Sequence, residues 1–480
     1  MTSRDFIPHF RNVLGPKGVI TDEGDIAPWV SDWRGRWHGA TPAILAPAST
    51  QEVAAVIALA RDHQVQLVPQ GGNTSMVGGA TPPADGRAFI LSLRRMNAIR
   101  ELSADHNRAV CEAGVILSTL HEAAEGIGRR FPLSLGAKGS ATIGGLVSTN
   151  AGGTQVLRHG TMRGLVEGLE AVLPNGEIYD GLAALKKDNR GYDIKHLLIG
   201  AEGTLGVVTA ASLRLVPALS QTATAWVGVE RPHDALTLLR QLQARFGNNI
   251  EGFEVIAGDG LGHVLSHIPS LRSPIDTPAP WHALIEFDIS DARDASEAEM
   301  AIATAITDFM EAGHAIDATI ASNKAQAEAF WRIRESLSEA ERAQGPALQF
   351  DISVPVEAMP DYMVNTAKAA ELRFPGTTAS SFGHLGDGNV HFHVRAPKGT
   401  SDGPAWLAQS GEEISRFVHD AVMAAGGSIS AEHGIGQMKR AELGRLSSPA
   451  RLFALRAIKS AMDPSGILNP GKLIPLASEG

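Results

Sequence analysis

Cysteine occurs once in this 480-residue chain, at Cys111. An intramolecular disulfide is therefore excluded, which fits a reducing compartment or indifference to redox state. Its surroundings, Ala109-Val110-Cys111-Glu112-Ala113, read as a buried strand, so the thiol belongs to the core rather than to a nucleophile. Long apolar runs are lacking too: no window approaches the ~18 uninterrupted apolar residues of a membrane span. Met1 to Phe6 lack the apolar core of a secretory signal, and the expected location is cytoplasmic. An excess of basic residues is also missing, with 42 Lys and Arg against 52 Asp and Glu and a formal net charge of −10. Nucleic acid is not expected as a partner, because phosphate binding needs basic patches. An anionic substrate must be met by local positive charge instead. Aromatics are scarce at 5%, whereas glycine is abundant at 51 residues. The glycines cluster in motifs and do not form repeats, so this is not low-complexity sequence.

A chain this long exceeds one core and is expected to form two or three domains. Its 44% hydrophobic and 20% charged residues are ordinary for a folded protein. Residues 1–40 read as a helical leading segment with a packing stripe of Trp29, Trp33 and Trp37. Residues 41–217 carry strand–glycine units. Ala43 to Pro47 is a short strand, and Ser49-Thr50-Gln51-Glu52 caps a helix from Val53 to Asp62. The strand Gln66 to Pro69 opens into Gln70-Gly71-Gly72-Asn73-Thr74-Ser75, whose exposed N–H groups make a cradle for phosphate oxygens. This is neither a Walker loop nor the spaced dinucleotide fingerprint. Two further glycine blocks follow, Gly136 to Gly153 and Ile199 to Thr209, and together the three suggest one long ligand held extended. Residues 218–430 alternate strand-like runs (Ala283 to Phe287) with amphipathic helices (Ala295 to Glu311, Lys324 to Arg342), an antiparallel α+β pattern. Residues 431–480 hold a helix and end near Asn469-Pro470-Gly471-Lys472.

The densest chemistry lies in Gly383-His384-Leu385-Gly386-Asp387-Gly388-Asn389-Val390-His391-Phe392-His393-Val394. A turn over Gly386 to Asn389 folds one strand onto the next and brings His384 close to His391. His391 and His393 are two apart and share a strand face. Ala431-Glu432-His433-Gly434 adds a carboxylate and a fourth imidazole. Nitrogen and oxygen donors without sulfur suit a divalent cation such as zinc or manganese; a hydrogen-bonded histidine hairpin is the plain alternative. His282, His314 and His419 have no partners in sequence and are expected to be structural or exposed.

Taken together, these blocks resemble the vanillyl-alcohol oxidase and p-cresol methylhydroxylase superfamily. The histidine motifs look like its branch of D-lactate and D-2-hydroxyglutarate dehydrogenases and glycolate oxidase flavin subunits. The resemblance spans the chain from about residue 40 to Lys472. It implies a two-subdomain FAD-binding fold of the p-cresol methylhydroxylase type, an antiparallel-sheet α+β cap for substrate, and a C-terminal helical segment. It implies that Pro69, Gln70, Gly71, Gly72, Asn73, Thr74, Ser75, Gly78 and Gly79 wrap the FAD diphosphate. Gly136, Gly139, Ser140, Gly144, Gly145, Ser148, Asn150 and Gly153 would line the isoalloxazine and ribityl groups. Glu202, Gly203, Gly206 and Val208 would meet the adenine side, and Asn469 would reach back to the flavin. Ser75 stands where relatives commonly have glycine. The loop Gly72-Asn73 offers no attachment residue, so non-covalent FAD is expected, with His159 the position to check.

The same resemblance assigns His384, His391 and Glu432 as metal ligands and His433 as general base. It places substrate on Arg334, Ser338, Gln349 and His393. His393 stands where the hydroxyglutarate enzymes have asparagine, and Gln349 where they tend to have lysine. Read alone, Arg334 is a solvated charge on the helix face it shares with Arg332, Glu335 and Glu339. The implied activity is oxidation of a D-2-hydroxy acid to the 2-oxo acid. Electrons would pass to an electron-transfer flavoprotein, quinone or cytochrome, and a homodimer is the common assembly prior. The rivals are a flavin subunit of a glycolate-oxidising complex and a metal-dependent hydrolase on a relic nucleotide fold.

Overall fold

A computed structural model of the chain describes residues 3–290 and 292–475. It has two compact units: residues 1–153, 159–218 and 432–480 form the first, and 154–158 with 219–431 form the second. The leading segment and the C-terminal stretch both fall in the first unit.

The first unit contains a four-stranded and a five-stranded sheet, beside a small two-stranded pairing. In the four-stranded sheet Phe89–Ser92 is flanked by Ile44–Leu45 and Leu67–Gln70, both parallel to it. The crossover between those flanking strands is the helix Thr50–Asp62, opened by Ser49, whose Oγ accepts the Glu52 amide. Glu52 in turn accepts from the amide of Ala48, one residue before the cap, and fastens the same corner. Leu67, Val68, Phe89, Ile90 and Leu91 are all buried, as strands covered on both faces must be. The five-stranded sheet is antiparallel throughout and carries Cys111 in its core, where burial pushes the thiol up to about 12. The C-terminus returns to this unit: Leu468 bridges Leu67, and the Asn469 amide donates to the Leu67 carbonyl.

One expectation fails here. The tryptophans at residues 29, 33 and 37 form no helical stripe, and Trp33 is 61% exposed. Asp32 accepts the Trp37 amide and turns the chain, with Gly35 in the left-handed region. Four-residue spacing counted as helical periodicity, but a carboxylate-anchored turn beside a glycine won.

The second unit is built on a seven-stranded antiparallel sheet. Its faces differ. One carries Phe253, Val255, Ala283, Ile285, Phe350, Ile352, Phe392 and Val394 into a large apolar core. The other holds a smaller core of Trp226, Ile256, Leu284, Ile333, Leu337 and Phe382, leaving room for polar side chains. The short segment 154–158 is fastened to this unit by Arg158, which contacts Glu251 and Asp288 at 2.7 Å each. His282 accepts from Trp226 Nε1 in the smaller core, where burial takes its pKa down to about 4. His419 is buried. Among the described residues no helix is long and apolar enough to cross a membrane.

Candidate active site

The hairpin forms as its sequence demands. Strands Thr378–His384 and Asn389–Arg395 pair antiparallel, with His384 opposite Asn389, Phe382 opposite His391 and Ser380 opposite His393. The turn lies over residues 385–388. Gly388 has φ +81°, and a Cβ there would meet the Val354 carbonyl oxygen at 2.0 Å, so only glycine closes it. The His384 and His391 ring centroids are 5.6 Å apart. On the next strand, Ala347–Ser353, Asp351 faces His391 and Gln349 faces His393.

The residue that organises this face escaped the motif reading. Glu254 lies opposite His384 on strand Ile250–Ala257 and is fully buried. One carboxylate oxygen contacts His384 Nδ1, and the other accepts Arg334 Nε at 2.6 Å. Burial alone would raise the Glu254 pKa; the Arg334 guanidinium and the His384 imidazole outweigh it and take it down to about 2. The arrangement is the one that orients a metal-ligating histidine, a carboxylate on one nitrogen leaving Nε2 as the donor. Arg334 therefore is not a solvated surface charge. It is buried, with its guanidinium 5.0 Å from the Phe382 ring, and Glu254 occupies only its Nε edge. Ser338 follows one helical turn later and is half-buried.

A second buried carboxylate, Glu341, gathers the other end of the face. It contacts His263 Nδ1 at 2.7 Å and accepts from Ser380 Oγ and Arg395. His393 Nδ1 stands 3.7 Å from it. Burial opposes the charge on Glu341, but these partners hold its pKa at about 2. The folded value lies below the ordinary 4.5, so its stabilisation is present above pH ~4.5 and lost as pH falls towards ~2. Glu341→Gln should thus lower Tm at neutral pH and flatten its fall across that window, as measured by calorimetry from pH 7 to 3. An unchanged slope would remove Glu341 from the acid-sensitive set.

In the first unit, the three glycine blocks pack on one another. Gly72 lies so close to the Ser140 carbonyl that a Cβ would meet its oxygen at 1.8 Å. Gly136, Gly139 and Ser140 are exposed. The Gln70 and Asn73 amides hold the first loop by donating to the carbonyls of Trp29 and Ser31. Ser75 Oγ accepts the Gly79 amide and so orders the loop. Ser148 Oγ donates to the Gly144 carbonyl, and Asn150 accepts the Arg163 amide. Pro69, Gly71, Thr74, Gly78, Gly145, Gly153 and Val208 lie in or beside these blocks. His159 Nε2 stands 3.3 Å from the Arg130 guanidinium. Buried Gln70 Oε1, Thr142 Oγ1 and Asn469 Oδ1 have no hydrogen-bond partner. An open surface of small residues with orphaned polar atoms fits a long polar cofactor such as FAD.

Glu202 does not hold its carboxylate out towards a cofactor. One oxygen accepts the Ile435 amide and the other the Gly436 amide, both at 2.7 Å. Burial pushes its pKa up, opposed by those bonds and by Lys439 and Lys472. Asn469 Nδ2 ties the carbonyls of Gly79 and Glu202 together. Gly203, at φ +70°, packs on Pro69, and Gly206 on Leu198. Glu432 and His433 open the segment that Glu202 pins, and both are half-buried.

Known proteins resemble the chain over its whole length. Residues 41–181 match the FAD binding domain family, and 219–473 match the C-terminal domain of FAD linked oxidases. D-2-hydroxyglutarate dehydrogenase, mitochondrial, of Arabidopsis thaliana is 37% identical, across 99% of this chain and 82% of its own. The D-2-hydroxyglutarate dehydrogenase of Xanthomonas citri pv. viticola is 36% identical, across 94% and 93%. Among solved structures, p-cresol methylhydroxylase with substrate bound superposes with a TM-score of 0.72, at 16% identity, covering 98% of this chain and 96% of that one. Alkyldihydroxyacetonephosphate synthase gives 0.73 at 17% identity, covering 97% and 86%. These last two likenesses are to the fold.

Proposed function

Since the chain belongs to the FAD-linked oxidases, the family of the D-2-hydroxyglutarate dehydrogenases, we propose that it oxidises a D-2-hydroxy acid to the 2-oxo acid. The observation that carries this reading is Glu254, one buried carboxylate that fixes a ligand-type histidine and a substrate-type arginine on the same sheet face. FAD, held along the three glycine blocks, would take the hydride equivalent from C2. A divalent cation would favour loss of the hydroxyl proton, and we assign it to His384, His391 and Glu432, side chains that each offer one ligand atom.

The remaining work falls to the chain's own groups. His433 takes the hydroxyl proton, an imidazole being suited to proton transfer near neutral pH. Glu432 and His433 are neighbours that each offer one atom within 4.8 Å of the other, so a division of labour in which one serves the cation and the other the substrate hydroxyl would be worked out at one place. Covalent connection supports this division. Ser428 pairs with Ser353, beside Asn389 on the histidine hairpin, and Glu432 follows only four residues later. Arg334 holds the substrate carboxylate through the guanidinium edge that Glu254 leaves available. Ser338, one turn on, contributes a hydroxyl, and Gln349 and His393 line the same strand pair. Gln349 is neutral where a lysine would supply a cation, so the face reads the distal end of a diacid by hydrogen bonds rather than by a formal charge there.

Zinc and manganese both suit this donor set. Dissociable FAD, a cytoplasmic location and an electron-transfer flavoprotein, quinone or cytochrome as acceptor complete the proposal. The reading is tested by an anaerobic screen of D- and L-2-hydroxy acids, from lactate through malate to 2-hydroxyglutarate. Loss of the yellow absorbance with D-acids, and D-2-hydroxyglutarate among the best, is expected. A colourless protein, or a yellow one that no 2-hydroxy acid bleaches, would refute it.

A further inference from the structure

We infer that Glu202 is a positioning residue for catalysis: it is the pin that locks the loop bearing Glu432 and His433 onto the FAD-binding unit. This rests on the assignment of His433 as base but adds a residue to which no role in turnover has been given. The resemblance implied an adenine contact for Glu202; the structure puts its carboxylate elsewhere.

Four observations converge on this role. First, both carboxylate oxygens are spent on consecutive backbone amides, Ile435 and Gly436, at 2.7 Å. The side chain spans 233 and 234 residues of sequence to reach them, and consecutive N–H groups gripping one carboxylate form an anion nest. Second, the loop is shaped for it. Gly434 and Gly436 have φ +78° and +53°, and a Cβ on Gly434 would stand 2.8 Å from Glu202 Oε1. Neither position accepts a side chain without displacing the carboxylate or straining the backbone. Third, the anchorage is reinforced from both sides. The Gln437 and Met438 amides donate to the Val77 carbonyl, and Gln437 Nε2 donates to the Gly78 carbonyl. Asn469 joins Glu202 to Gly79. Fourth, the site is buried, and Lys439 and Lys472 balance its charge.

The consequence follows from chain mechanics. His433 lies two residues before Ile435, the first pinned amide. A base must sit within hydrogen-bond reach of the proton it takes, and displacements near 1 Å cost on the order of a hundredfold in rate. Because the pin also involves the loop 77–79, expected to wrap the cofactor, it ties base and cofactor to one rigid piece of backbone.

The test uses the full-length holoenzyme with Glu202→Gln. Glutamine keeps one acceptor oxygen but turns an NH2 towards the second backbone amide, which removes one bond and opposes another donor. With D-2-hydroxyglutarate and an artificial dye acceptor, kcat is expected to fall at least ~30-fold while KM changes less than about threefold, the signature of a misplaced catalytic group. Bound FAD should remain stoichiometric. Independently of activity, hydrogen exchange of the peptide spanning 431–438 should accelerate at least ~10-fold, as expected when protecting bonds are lost. The double variant Glu202→Gln/His433→Ala should be no slower than His433→Ala alone, because a residue acting through His433 has nothing left to position. Wild-type kcat, unchanged exchange, or loss of FAD cured by added FAD would each overturn the proposal. So would a double variant slowed by the product of the two single effects. That last failure, with His433→Ala itself slow, would leave the base assignment standing; a wild-type rate in His433→Ala would sink both.

Discussion

Replacing His433 with alanine is expected to slow flavin reduction by a D-2-hydroxy acid about a hundredfold or more, the usual worth of a general base, while the yellow cofactor stays bound. The expectation of retained FAD comes from how the loop is held. Its anchors are backbone amides, Ile435 and Gly436 on Glu202 and Gln437 and Met438 on Val77, so losing the imidazole breaks none of them. His433→Ala should also leave the apolar packing of the unit intact, since the half-buried side chain makes no part of those cores. Rapid mixing under anaerobic conditions isolates the reductive step from reoxidation by the acceptor. His433→Gln, which preserves bulk and hydrogen bonding but accepts no proton at neutral pH, should be nearly as slow. Reduction at the wild-type rate in either variant would show that another group takes the hydroxyl proton.

How far the sequence could be read depended on whether the deciding interaction was local. The cap at Ser49 and Glu52, the hairpin turn and the helix Ala295–Glu311 were legible because each is settled within a few residues. The paired histidines were legible for the same reason. Glu254 was not. It sits in the apolar strand Ile250–Ala257 without a motif of its own, and its partners lie 80 and 130 residues away. A lone carboxylate inside an otherwise buried strand was the signal available, because burying an unpaired charge is too costly to occur without a partner. Glu341 gave even less, one acidic residue among several on the amphipathic helix Lys324–Ala343. Arg334 shows the limit from the other side. Its helix face is rich in charges, so composition alone favoured a solvated residue, and only its burial against Phe382 and Glu254 decides otherwise. For Glu202 the resemblance implied the adenine side of the cofactor, whereas its carboxylate is committed to a loop more than two hundred residues on.

Removing divalent metal should abolish turnover and leave the flavin spectrum intact. The two effects separate because the proposed ligands, His384, His391 and Glu432, are distinct from the glycine blocks that would hold FAD. Dialysis against a chelator should yield protein that is yellow, folded and inactive, with zinc or manganese restoring activity. His384→Ala should mimic that state irreversibly. Glu254→Gln is the more telling variant: it supplies no metal ligand, yet it loosens the His384 imidazole and releases the Arg334 guanidinium together. Removing such a supporting carboxylate typically weakens metal affinity 10- to 100-fold, so this variant should regain activity only at elevated metal. It should also show a raised KM for substrate, because the arginine that clamps the substrate carboxylate has lost its anchor. A Glu254→Gln enzyme with raised KM but normal metal affinity would confine Glu254 to holding Arg334. Full activity in protein shown by elemental analysis to be metal-free would remove the cation from the mechanism. The histidine hairpin would then be a hydrogen-bonded substrate face, with Glu254 serving only to orient it.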